Sequence, residues 1–135
     1  LPISALFNPI SGDDEGMGHL AETAVFSQWF HSDLMDSLHY ARWKDGEVDI
    51  VNLQEGKPFW AVEVKWTDRY VDRPAELSGA LGFAKKFNLI TSLRVTSLTR
   101  EAEIVIHDVL IRFTPCSLYC YMLGKNLLQT KQPKA

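Results

Sequence analysis

The sequence predicts an α/β fold, a mixed β-sheet flanked by helices, and three observations carry that prediction. A helix-like stretch with a broad apolar side opens the ordered part of the chain. Three strand-like stretches separated by tight turns follow it. A second helix-like stretch then gives way to runs rich in β-branched residues, so the order reads α-β-β-β-α-β-β. The 135 residues, 46% of them apolar, suffice for one core and are too few for two.

Residues 1–15 hold two prolines and the acidic run DDE, and read as an irregular lead-in or the end of an upstream domain. The chain begins with Leu, which reads as an excised piece of a longer protein. The domain itself is expected over 16–125, and residues 126–135 are read as a frayed tail. A helix is expected from about Gly18 to His31, with Leu20, Ala24, Val25, Trp29 and Phe30 on its apolar side. Glu22 near its start suits the helix dipole. Strands are expected at 38–43, 47–53 and 59–66, with Asp45-Gly46 as the first hairpin signal and Gly56 as the centre of the second turn. RPAELSGALGFAKKF, 73–87, has Pro at its start and Lys85-Lys86 at its end, as a helix would. Strands follow at 90–98 and 103–113, and SLYCYML, 117–123, is apolar without a clear period.

Composition excludes several classes. A net charge of -3 argues against a strongly basic nucleic-acid-binding domain, leaving room only for a local basic patch. No apolar run reaches the roughly 18 residues of a membrane span, and no signal peptide is evident. Cys116 and Cys120 form a C-x3-C pair, short of the about four ligands of a zinc site. They read as two thiols in a reducing cytoplasm. His19, His31, His39 and His107 have no ligand spacing.

The second and third strands carry charges that strands rarely bury. Centred on Gly56, the hairpin sets Asp49 opposite Glu63, Glu47 opposite Lys65, Val51 opposite Ala61 and Leu53 opposite Phe59. One face then holds Val48, Ile50, Asn52, Trp60, Val62, Val64 and Trp66, is mostly apolar and packs on a core. The other has an apolar end by the turn and a charged end. Directly opposed like charges are destabilising, so Asp49 and Glu63 call for a positive group between them. Lys65 helps as one ammonium, and a divalent cation held by the two carboxylates answers better. The plainer alternative is a cross-strand Glu47–Lys65 ion pair with Asp49 and Glu63 solvated on an open face.

These residues also carry a resemblance. Glu22 in LAET, Asp49 in GEVDIV, and Glu63 and Lys65 in AVEVK resemble the signature of the PD-(D/E)xK phosphodiesterase superfamily, the restriction-endonuclease-like fold. The wording of GHLAET, WKDGEVDIV and AVEVK is similar to the nuclease-like C-terminal domain of many prokaryotic AAA-type P-loop ATPases. The resemblance spans about residues 16 to 123. It implies an α-β-β-β-α-β core and Mg²⁺ (or Mn²⁺) held by Asp49, Glu63 and the backbone carbonyl near Val64. Lys65 would orient or activate the attacking water, and Glu22 would complete the acidic cluster. The implied activity is metal-assisted phosphodiester hydrolysis of DNA or RNA, and the implied partner in cis is an upstream P-loop ATPase module, whose G-x-x-x-x-G-K-[ST] loop this sequence does not contain.

Two departures stand beside it. The second helix lacks the Gln of some superfamily nucleases, and the chain is mildly acidic. Arg69, Arg73, Lys85 and Lys86 are the nearest basic group for nucleic-acid contact, although a solvated helix end explains the two lysines as well. The alternatives are a catalytically silent nuclease-fold module for nucleic-acid or protein binding within an ATPase assembly, and a homodimer formed through the apolar segments Ile104–Ile111 and Leu118–Leu123. Core strands explain those segments better.

Overall fold

The computed structural model describes residues 15–130. The lead-in expected over 1–15 falls almost wholly outside them. Six strands form one mixed sheet in the order β1-β2-β3-β4-β6-β5, with helices on both faces. Helix α1 is Glu15–Trp29, starting and ending slightly earlier than the sequence suggests. A 3₁₀ turn, Met35–Ser37, leads into β1, Leu38–Trp43, which pairs antiparallel with β2, Gly46–Gln54. β2 in turn pairs antiparallel with β3, Lys57–Glu63.

Both hairpins are irregular where side chains must be aimed. In the second, Ile50, Val51 and Asn52 pair with Val62, Ala61 and Trp60, which is the register the sequence predicts. Leu53, however, faces Pro58 instead of Phe59. A bulge at Phe59 accounts for the step, and it tolerates Pro58, which could not donate to a regular ladder. The turn is Glu55-Gly56, with φ of 51° and 74°, the left-handed pair that matches strand twist.

In the first hairpin His39 pairs with Val51, yet Ala41 pairs with Val48. β2 therefore carries one extra residue at Asp49–Ile50. That bulge reverses the alternation, so Val48 shares a core with Val51 and not with Ile50. The sequence reading, which kept strict alternation, put Val48 on the wrong face.

A crossover links β3 to β4, Leu93–Ser97, which lies parallel to it. A short helix, α2 at Arg69–Asp72, precedes the stretch expected as one helix over 73–87, which is itself two pieces: a 3₁₀ turn at Pro74–Glu76 and α3 at Ser78–Lys86. The stretch expected as one strand over 103–113 is a hairpin of β5, Ala102–Ile106, and β6, Val109–Pro115. His107 and Asp108, at φ 48° and 64°, make its turn. Helix α4, Cys116–Thr130, runs past residue 125, so the last turns are helical where a frayed tail is expected.

Each sheet face is covered. Val48, Val51, Ala61, Leu93, Val95, Ile111 and Phe113 pack under Leu77, Leu81 and Ala84 of the α3 region. Ile50, Val62 and Val64 pack under Ala21 and Val25 of α1 and Tyr119 and Leu123 of α4. Burying each of the larger side chains contributes about 1.5–3 kcal/mol. The open sheet face that the sequence reading allowed is therefore closed by α3. Trp60 and Trp66 are partly buried against the α1/α4 core, as expected. Ile111 belongs to the α3 core and Leu123 to the α1/α4 core, so neither late segment is wholly free for a second copy. No described helix is long and apolar enough to cross a membrane.

Candidate active site

The carboxyl ends of β3, β4 and β6 point the same way, because β3–β4 and β4–β6 are parallel pairs. In open α/β sheets this edge is where ligands bind. Asp49 and Glu63 meet there. Asp49 lies at the β2 bulge, and its carboxylate reaches across the hairpin to the end of β3. Its Oδ2 accepts the Val64 backbone N–H at 2.7 Å. Both acids are buried, at 7% and 6% exposure.

Lys65 Nζ lies 2.8 Å from Glu63 Oε1 and 5.7 Å from the centroid of the Tyr70 ring. It does not pair with Glu47, whose carboxylate instead accepts the Tyr40 hydroxyl at 2.5 Å. The backbone at Lys65 is pinned by buried Thr96 of β4. The Lys65 N–H donates to Thr96 Oγ1 at 2.7 Å, and that hydroxyl donates to the Lys65 carbonyl, also at 2.7 Å. This closes the gap left where β3 ends at Glu63 and the chain departs from the sheet.

The charges are out of balance. Glu63 Oε2 is buried without a hydrogen-bond partner among the described residues. Burial pushes the Asp49 carboxyl up, the nearby Glu63 charge pushes it further, and its pKa stands at about 7 despite the Val64 N–H. Burial also raises Glu63, with the Lys65 ammonium opposing. Lys65 is raised: burial disfavours its charge, but the Glu63 charge and hydrogen bond, joined by the charges of Asp49 and Tyr70, together outweigh burial. Two buried carboxylates therefore share one ammonium, and one oxygen is orphaned. A hard cation with oxygen ligands fits that set, and Mg²⁺ needs only one or two carboxylates from a protein. Asp49 and Glu63 are the side chains that would hold it, with the Val64 carbonyl as the backbone donor that the resemblance implies. No cluster of three or more His, Cys, Asp or Glu side chains forms a fuller cage among the described residues.

The other residues singled out by sequence sit further off. Glu22 is part-exposed on α1, 3.9 Å from His19 Nδ1, and its charge reaches Asp49 without a direct contact. Arg69 and Arg73 are engaged by Glu76, at 2.7 Å and 3.6 Å. Lys85 and Lys86 end α3, whose amino end at Gly79 abuts Gly46 and Glu47. That sets the lysine pair roughly 9 Å along the helix from the acids' end. Lys86 rests 5.5 Å from the Phe87 ring centroid. Cys116 and Cys120 are free thiols, with burial raising Cys116 to about 11.

Sequence reasoning missed Thr96, Tyr70 and Asp68. Asp68 accepts the backbone N–H groups of Leu98, Thr99 and Arg100 and the Thr99 hydroxyl, over 2.6–3.1 Å. Burial acts to raise its pKa, but these donors prevail and hold it below the ordinary carboxylate range. Asp68 thus ties the loop after β3 to the loop after β4. Its only signal is an acid just beyond a strand; its partners lie some thirty residues away. Compared with protein-family models, curated proteins and solved structures, the chain matches none.

Proposed function

We propose that this domain is an Mg²⁺-dependent, nuclease-like phosphodiesterase acting on DNA or RNA, in the manner of the restriction-endonuclease-like superfamily its motifs resemble. The observation that carries the reading is the buried Asp49–Glu63 pair with Glu63 Oε2 unsatisfied beside a bound lysine. A hydrophobic core has no use for such a set, since an uncompensated buried charge costs several kcal/mol.

The chain's own groups divide the work. Asp49 and Glu63 hold the cation, which when bound supplies Lewis acidity toward a phosphoryl oxygen. Lys65 has its pKa raised and stays protonated at neutral pH. It therefore serves as a donor that orients water and neutralises developing phosphoryl charge, and not as the base. Thr96 positions Lys65 through the backbone, and Tyr70 walls the ammonium.

A second reading, a silent nuclease-fold module in a larger assembly, draws on one observation: the Arg69 and Arg73 side chains that would face a phosphate backbone are engaged by Glu76. Calorimetric titration of Mn²⁺ into the protein and into Asp49→Asn and Glu63→Gln separates the readings when paired with cleavage assays on single- and double-stranded substrates. Saturable binding lost in both variants, with metal-dependent cleavage lost in Lys65→Ala, is the expected result. Absence of binding with and without DNA, and of cleavage, would overturn the proposal.

A further inference from the structure

The other face of the sheet holds a second charge conflict, of opposite sign. Arg94 of β4 and Arg112 of β6 are direct register partners on adjacent parallel strands. Both line a cavity of about 380 Å³ between the sheet and helices α1 and α4. Like charges set side by side on neighbouring strands repel. Arg112 is compensated: its Nε lies 3.2 Å from Glu103 Oε1 and its Nη1 donates to the Thr91 carbonyl at 2.6 Å. Arg94 is not. Its Nη1 donates to the Thr114 hydroxyl and its guanidinium lies 5.9 Å from the Tyr119 ring centroid, and no described carboxylate pairs with it. A guanidinium has five donors, so most of its fork remains for a ligand.

The rest of the wall suits a flat ring. Trp29 and Trp60 are stacked at 5.2 Å between centroids and both line the cavity. Thr91 and Ser92 add short polar groups at its rim. The volume lies within the range of small-molecule sites. Arginine with aromatic faces is the combination that recognises phosphate and base together. We propose that this cavity binds a nucleoside monophosphate, with the phosphate on Arg94 and the base against the Trp29–Trp60 wall. The site is separate from the carboxylate pair and needs no metal, so it stands whether or not the domain cleaves nucleic acid.

The test is a titration of adenosine 5′-monophosphate into the purified chain in EDTA, read by tryptophan fluorescence and by calorimetry, with adenosine and inorganic phosphate as comparison probes. Saturable binding of the monophosphate, tighter than either half alone, is expected. Arg94→Gln keeps a donor for Thr114 and should weaken binding by about tenfold or more, the loss of a charged hydrogen bond. Arg94→Lys keeps the charge but not the fork and should fall between. Thermal melting of both variants reports whether they fold, and one folded variant is enough. Unsaturable binding to the wild type, phosphate competing as well as the monophosphate, or unchanged affinity in a folded Arg94 variant would each overturn the proposal.

Discussion

Two like-charge pairs occupy opposite faces of one sheet, and each is made by a different device. Arg94 and Arg112 face each other because regular parallel pairing puts them there, and Glu103 relieves one of them. Asp49 and Glu63 are brought together by the β2–β3 hairpin register, with Asp49 at the β2 bulge and its carboxylate on the Val64 N–H. The arginine pair sits beside a cavity of measurable volume, with room for a body attached to the charge. The carboxylate pair is buried at the carboxyl end of β3, its charge facing a single ammonium. Repulsion alone thus says which sign of ligand a site needs; the space around it says how large.

The comparison can be broken most sharply at the acidic end. Glu63→Gln and Lys65→Ala should each lower metal-dependent cleavage by about 10²–10³-fold. Single-turnover rates on a labelled oligonucleotide check this, and activity within severalfold of wild type would place the chemistry elsewhere. Next in size is a stability effect with a definite sign. Asp49 holds a folded-state pKa of about 7, above its unfolded value. The folded chain therefore keeps a proton that the unfolded chain releases, and metal-free stability falls as pH rises from about 4 through about 7. Asp49→Asn removes that dependence and can still accept the Val64 N–H. It should exceed the wild type by about 2 kcal/mol at pH 8 in EDTA, roughly half of what the full shift gives, and by little at pH 4. Urea melts at both values decide it.

Thr96→Val should cost about 1–2 kcal/mol, because it strands the Lys65 N–H and carbonyl. It should lower cleavage more than Mn²⁺ affinity, since it moves the lysine and not the acids. A parallel loss of both would show that Thr96 merely holds the fold. Smallest of all, Arg69→Ala breaks an exposed pair and should leave the melting temperature unchanged. If Arg69 is a phosphate contact, the salt dependence of DNA binding will flatten all the same.

How much of this the sequence discloses depends on the range of the interactions. The Asp49–Glu63 apposition was legible because a local turn sets it. The reason was compensation, however. The turn is centred between Glu55 and Gly56, half a step from the expected centre, and the bulge at Phe59 restores the register at Val51 and Ala61. The β2 bulge was not legible, since it appears only when β1 is laid alongside. Thr96 and Asp68 were hidden because their partners come from elsewhere in the chain. The break of 103–113 into two strands was hidden for another reason. His107 and Asp108 take left-handed backbone without a glycine to announce it.

The contact from Thr96 to Lys65 has a consequence for the order in which the site comes together. Asp49 reaches Val64 across a separation of 15 residues, inside a hairpin, whereas Lys65 reaches Thr96 across 31. Hairpins close in about 1–10 μs, while parallel strands wait for a long crossover to pack. A chain in which only the hairpin had closed would thus hold the two acids together with the lysine backbone still unanchored. A chain at that stage would collect a cation before it could aim a proton donor, so metal capture would precede competence.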